Sequence, residues 1–214
     1  MTDTVTGTAV DSAAESALDP VGRRERKKRQ TRQDLMAAAA RLFAERGFDE
    51  TTTEDIAEAA DVSQRTFFRH FPSKEAVLYG DHEALEAAFR TAILARPAAE
   101  LPVAAVAAAM RTLTESYAAD PERTFLQARL AATYPSVSAY SRAVVQRGME
   151  RAIIAALARR MGVDPVADPR PEVMAGAAMS ALRVALRQWV AGGGETDLLG
   201  LAAVAFTSVC DPAR

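Results

Sequence analysis

The amino-acid sequence predicts an all-α protein of two helical parts, a head of short helices and a longer helical body behind it. Three observations carry this. Apolar residues in the body recur at three- and four-residue spacing and never alternate as a half-buried strand requires. Prolines and glycines punctuate the chain at roughly helix-length intervals, at Gly47, Pro97, Pro102, Pro121, Pro135 and between Gly162 and Pro171. Between Thr51 and Glu75, two short amphipathic stretches are separated only by Asp61-Val62-Ser63, which suits a tight turn between helices.

Each element of the head has a local reason. Leu35, Ala39, Leu42 and Phe43 form the apolar face of a helix within Thr31 to Thr52, and Gly47 ends it as a C-terminal cap. Thr53 stands before the next helix, with Glu54 and Asp55 in its first turn, where carboxylates suit the helix dipole. Ile56, Ala57 and Ala60 line one side of it. Asp61 occupies a turn position that needs positive φ, and Asp reaches that region more readily than most residues. Val62 plugs the space between the helices. Ser63 then caps a helix over Gln64 to Phe71, in which Phe67 and Phe71 lie one turn apart and pack inward.

That packing leaves the first turn of the second helix outward. In a helix-turn-helix this turn meets base edges and phosphates in the major groove, so Ser63, Gln64, Arg65 and Thr66 are candidate DNA contacts. Thr53 is another, or serves only as a cap. Upstream, the basic run from Arg23 to Arg29 is expected to act as an arm along the phosphates or in the minor groove, with a solvated tail as the alternative. Residues 1–22 are polar without apolar period and read as a disordered tail.

Taken in order, these residues resemble the TetR family of bacterial transcriptional regulators over the segment from Arg29 to Tyr79. Thr31 to Thr52 looks like the family's first helix and the Gly-aromatic turn after it. Phe71-Pro72-Ser73-Lys74-Glu75 looks like its link into a fourth helix, with Ser73 as cap. The run from Arg65 to Asp81 is similar to regulators associated with mycofactocin clusters, which respond to acyl-CoA molecules. The resemblance implies an N-terminal three-helix helix-turn-helix DNA-binding domain, residues 23–75 with the arm, and a C-terminal helical ligand-binding and dimerisation domain, residues 76–214. It implies backbone contacts from Lys74 and from His70, whose alternative is packing against Phe67. Phe68 stands where the family usually has Tyr, so it lacks the hydroxyl that touches a phosphate and is expected to pack against sugar or a thymine methyl. The implied function is that of a sequence-specific repressor, a homodimer on a pseudo-palindromic operator of double-stranded DNA, released by an acyl-CoA-like or hydrophobic effector. A helical architectural or interaction protein that binds DNA without a small-molecule switch remains the alternative.

In the body, helices are expected near 73–95, 103–118, 121–133, 137–161, 171–191 and 195–209. The last two carry more apolar surface than one outer face needs, from Val173 to Trp189 and from Leu198 to Phe206. In the family such helices pair with those of a second subunit, the alternative being an ordinary intramolecular core. The resemblance also implies a ligand cavity among the middle helices. Its candidate wall residues are Met110, Leu113, Tyr117, Phe125, Leu126, Arg129, Tyr134, Met149, Met179 and Arg183, any of which also reads as plain core.

Composition bounds the remaining classes. The chain has 214 residues, 49% of them hydrophobic, and a formal net charge of −2, so it can bury a sizeable core. A mildly acidic total is compatible with DNA binding, because the local basic patch sets phosphate affinity. One cysteine excludes an intrachain disulfide, and Cys210 in a terminal apolar helix is expected to be inert. A cytoplasmic protein without signal peptide or membrane span is expected. Enzymatic chemistry finds no support: His70 and His82 have no spaced ligand set, Asp81-His82-Glu83 point different ways on a helix, and no phosphate loop or nucleophile elbow is present. Neither metal nor cofactor is expected.

Overall fold

The computed structural model describes residues 20–80 and 82–210. The greater part of the expected tail, residues 1–19, lies outside the described residues, as does Asp81. Among the described residues every regular element is helical, and contacts cluster into two compact units that divide between Pro72 and Ser73.

The first unit holds α1 (Pro20–Arg46), α2 (Thr53–Ala59) and α3 (Gln64–His70). The basic run is not a separate arm: Arg23 to Arg29 are wound into α1, and all are exposed. Arg and Lys are good helix formers, so a helix anchored by Leu35 and Leu42 propagates through them although their charge opposes the dipole at this end. Gly47 (φ 91°) stops α1. A Cβ there would meet nothing within 4 Å, so the need for glycine is purely conformational. Beyond it Phe48 folds back on Phe43, ring centroids 5.0 Å apart. Leu35, Leu42, Phe43, Phe48, Ile56, Phe67 and Phe71 are each at most 2% exposed and form the head's core.

Thr51 is fully buried among them, and its hydroxyl donates to the carbonyls of Gly47 (2.7 Å) and Leu42 (3.3 Å). It thereby satisfies backbone acceptors left open where α1 ends. Asp61 adopts φ 53°, as the turn requires, and the Val62 amide closes the turn on the Ala57 carbonyl at 2.9 Å.

The second unit holds α4 (Lys74–Tyr79), α5 (His82–Leu94), α6 (Pro102–Ala118), α7 (Pro121–Thr133), α8 (Pro135–Tyr140), α9 (Arg147–Met161), α10 (Arg170–Ala191) and α11 (Leu198–Cys210). Pro102, Pro121 and Pro135 each open their helix at a position where no amide is needed. Two expected helices are corrected. The stretch 73–95 divides into α4 and α5, because Gly80 takes φ 57° and ends the first. The stretch 137–161 starts two residues earlier and contains a π-helical turn, Ser141–Gln146, between α8 and α9.

The core of this unit gathers Ile93, Val106, Ile153, Leu157 and Leu182 with Ala105, Ala156, Ala175 and Ala178, whose small side chains let α6, α9 and α10 approach closely. A second cluster joins Ala185 and Trp189 of α10 to Leu198 of α11. Arg160 secures the α5–α6 connection by donating to the carbonyls of Arg96 (2.9 Å), Glu100 (2.8 Å) and Pro97. Among the described residues no helix is long and apolar enough to cross a membrane.

Removal of the Thr51 hydroxyl by Thr51→Val keeps shape but leaves buried carbonyls short of a donor. A loss of about 1 kcal/mol in head stability is expected from denaturant unfolding.

Candidate nucleic-acid interface and ligand cavity

The outward face of α3 is held from both ends. At its start Ser63 caps the helix, its hydroxyl accepting from the Thr66 amide at 3.2 Å and lying 3.0 Å from the Thr66 hydroxyl. Gln64 donates to the Thr53 hydroxyl at 3.2 Å, which ties the first turn of α3 to the first turn of α2. Thr53 is not the cap of α2. Thr52 holds that position, accepting from the Asp55 amide while Asp55 accepts from the Thr52 amide, a reciprocal capping box. The hydrogen bonds hold the Asp55 carboxyl below its ordinary value.

At the other end of α3, Phe67 and Phe71 pack inward at 6.0 Å between centroids. Arg32 of α1 stacks 4.1 Å over the Phe71 ring and donates to the His70 carbonyl at 2.7 Å. Arg32 has no sequence signal, since its partner lies 38 residues away. His70 is half-buried, and burial first, then the charges of Arg69, Arg32 and Lys28, depress its pKa. Between these anchors Gln64, Arg65, Phe68 and Arg69 are exposed and Thr66 is half-buried. Phe68 is 51% exposed, its ring edge-on to Phe67 at 5.4 Å. Arg29 is exposed on α1. Lys74 is half-buried and opens α4, in the second unit rather than the first.

The second unit contains a cavity of about 340 Å³, open to solvent on one side and walled by α4, α6, α7, α8, the π-helical turn and α10. Of the ten candidate wall residues, Tyr117, Met179 and Arg183 line it. Leu113, Leu126 and Met149 are instead buried. Met110, also buried, lines a second recess of about 470 Å³ between α6, α10 and α11. Phe125 packs edge-on against Trp189 at 5.6 Å, and a Cβ on Gly194 would fall 2.8 Å from its ring. Arg129 is exposed above that ring, and Tyr134 joins α7 to α8.

Sequence reasoning missed Tyr79, Gln127, Ser141, Arg142, Leu186 and Arg187 in the wall. Tyr79 stacks on Tyr140 at 5.9 Å, and burial raises its hydroxyl, with Ser141 acting in the opposite sense. Burial also pushes the Tyr117 hydroxyl up to about 12, so both phenols stay neutral at physiological pH. A π-helical turn in a cavity wall is a common mark of a functional segment, although nothing in residue spacing announces it. Among the described residues no group of His, Cys, Asp and Glu is placed to hold a metal ion.

A helix-turn-helix head followed by a larger helical unit defines a class, the all-helical DNA-binding transcriptional regulators. Residues 35–79 match the profile of the bacterial regulatory proteins of the TetR family, and residues 100–214 match that of the MftR C-terminal domain. The chain is 38% identical over 200 residues to the transcriptional regulator TcmR of Streptomyces glaucescens, an alignment covering 90% of this chain and 87% of that one. It is 39% identical over 56 residues to the putative mycofactocin biosynthesis regulator MftR of Mycobacterium tuberculosis, covering 26% of this chain and 28% of that one. Its fold matches that of Thermus thermophilus FadR, a TetR-family repressor solved with lauroyl-CoA, with a TM-score of 0.56 and 26% identity over 86% of this chain and 95% of the other. The chain belongs to the TetR family of transcriptional regulators, and is no enzyme.

The depressed His70 pKa has a consequence for stability. The folded head binds fewer protons at this site than the unfolded chain, so the contribution is complete above the unfolded value near 6.5 and is lost as pH falls below it and through the lower folded value. Comparing melting temperatures from about pH 7.5 to 5.5, the parent chain is expected to decline and His70→Asn to flatten that decline. An identical slope in both proteins would remove His70 from the explanation.

Proposed function

We propose that the protein is a ligand-released repressor that binds a pseudo-palindromic operator as a homodimer. The observation that carries this reading is the anchored first turn of α3, where Gln64, Arg65 and Thr66 are fixed by Ser63, Thr53 and the buried Phe67 while their side chains remain available to DNA. Arg65 is suited to guanine and Gln64 to adenine in the major groove. Phe68 offers an exposed ring to a thymine methyl or a sugar. Arg29 and the rest of the exposed basic turns of α1, with Thr53, Ser63, His70 and Lys74, supply contacts that position the head without reading sequence.

Dimerisation is proposed through α10 and α11. Val173 (66% exposed), Leu199 (40%) and Val204 (67%) are large apolar side chains left uncovered on these two helices, and α11 carries no charged residue from Leu198 to Cys210. A second copy covering them brings two α3 helices onto one operator, about 34 Å apart for successive half-sites.

The cavity of the second unit is proposed as the effector site. Tyr79 in its wall belongs to α4, the helix that directly follows the head in sequence, so an occupant meets the segment leaving the DNA-binding unit. The lauroyl-CoA complex of the FadR relative supports an acyl-CoA-like or hydrophobic effector. Release follows if the effector binds the low-affinity state of the protein better than the DNA-bound state.

Gel-shift measurement against the protein's own upstream region separates this reading from an architectural DNA-binding protein. Selective binding that a hydrophobic effector abolishes is expected, whereas binding indifferent to sequence sinks the repressor. In the same assay Arg65→Ala is expected to cost about 1 to 3 kcal/mol on the operator and to relax specificity at one position. Equal loss on every sequence makes Arg65 a phosphate contact. Sedimentation at micromolar concentration is expected to give a dimer that Val204→Glu converts to monomer.

A further inference from the structure

The wall of the 340 Å³ cavity is of two kinds. Tyr117, Met179, Leu182 and Leu186 give it an apolar interior, with Met179 and Leu182 at most 8% exposed. Arg142 of the π-helical turn and Arg183 and Arg187 of α10 also line it, and all three are exposed, which places them at the opening. No Asp or Glu lines the cavity. Among the described residues none of the three arginines forms an ion pair, and Arg183 reaches only the Ser180 hydroxyl at 3.2 Å. Arg183 and Arg187 stand one turn apart on α10, where like charges repel, and no acidic residue sits three or four positions away on the helix to offset them. A chain with a net charge of −2 has thus concentrated three uncompensated cations at one opening.

We infer that the cavity takes an amphipathic anion, its apolar body against Tyr117, Leu182 and Leu186 and its carboxylate or phosphate head against Arg142, Arg183 and Arg187. The inference rests on the reading of this cavity as the effector site and names the chemistry of what fills it. Guanidinium forks match the oxygen pairs of both head groups, and the two neutral phenols, Tyr79 and Tyr117, place no charge in the interior that an anionic head would seek or avoid. A head bound at a solvated opening is screened by salt, so the preference for anions weakens as ionic strength rises.

Titration calorimetry of the full chain with decanoate, decyl phosphate and decanol holds the apolar body constant and varies the head. At least one anion is expected to bind about tenfold or more tightly than decanol, and the stronger of the two identifies the head as carboxylate or phosphate. The double variant Arg183→Gln, Arg187→Gln is expected to reduce that preference to about twofold or less while leaving decanol unchanged. Both positions are exposed, and an unaltered melting temperature confirms that the variant is folded. Ala128→Phe, which fills the cavity from α7, is expected to abolish binding of all three probes. Equal binding of decanol, no binding by any probe, uniform weakening in the arginine variant, or anion binding that survives Ala128→Phe each overturns the inference. Operator gel-shifts with the same probes keep the two readings apart. Release by decanol without anion preference leaves the ligand-released repressor standing and removes the anion, whereas arginine-dependent anion binding without release keeps the anion site and removes the release.

Discussion

Everything the head presents to DNA depends on one buried aromatic pair, Phe67 and Phe71, packed one turn apart beneath α3. A seven-residue helix has too few internal hydrogen bonds to persist alone, so its orientation comes from packing. Phe67 sets which face of α3 is inward, and everything exposed follows from that choice. Arg32 then closes the far end by stacking on Phe71 and donating to the His70 carbonyl, while Ser63 and the Gln64–Thr53 hydrogen bond close the near end. A first turn held this way fixes the backbone that carries Gln64 and Arg65, which would lower the ordering cost of the DNA contacts proposed for them.

The body solves a different problem, which is to keep helices packed and still leave a space. Alanines at Ala156, Ala175 and Ala178 bring α9 and α10 close around Ile153 and Leu157, and that part is dense. On the other side of α10 the wall is built from Ala128, Ala131 and Ala132 of α7 and from the π-helical turn, where short side chains and an irregular backbone leave volume unfilled. The same helix therefore serves both, with Leu182 at the boundary between core and cavity.

Much of the head was legible because its demands are local. Asp61 at positive φ, Gly47 as the stop of α1, Ser63 as a cap and the inward Phe67 and Phe71 each follow from a residue and its immediate neighbours. The misassignment of the α2 cap to Thr53 is a shift of one residue, since three consecutive threonines offer the same side chain and only Thr52 has Asp55 placed to answer it. The basic run was read as an arm because its charge resists folding alone, and it is helical because α1 carries it. The cavity was less legible for a reason of kind. Helical periodicity says which face of a helix is buried, but not whether that face meets another side chain or a void. Leu126 and Met149 are core and the half-buried Phe125 packs against Trp189, whereas the wall is made largely where residues are small or polar.

What the sequence by itself determined was the all-helical class, the DNA-reading head and the side chains it turns outward, because capping, turn conformation and helical spacing act over a few residues. Tertiary structure alone decided that Arg32 braces α3 across 38 positions, that a π-helical turn interrupts the long middle helix, and that Arg142, Arg183 and Arg187 share one opening. Those outcomes depend on which distant elements meet. No residue's local preference records which ones do.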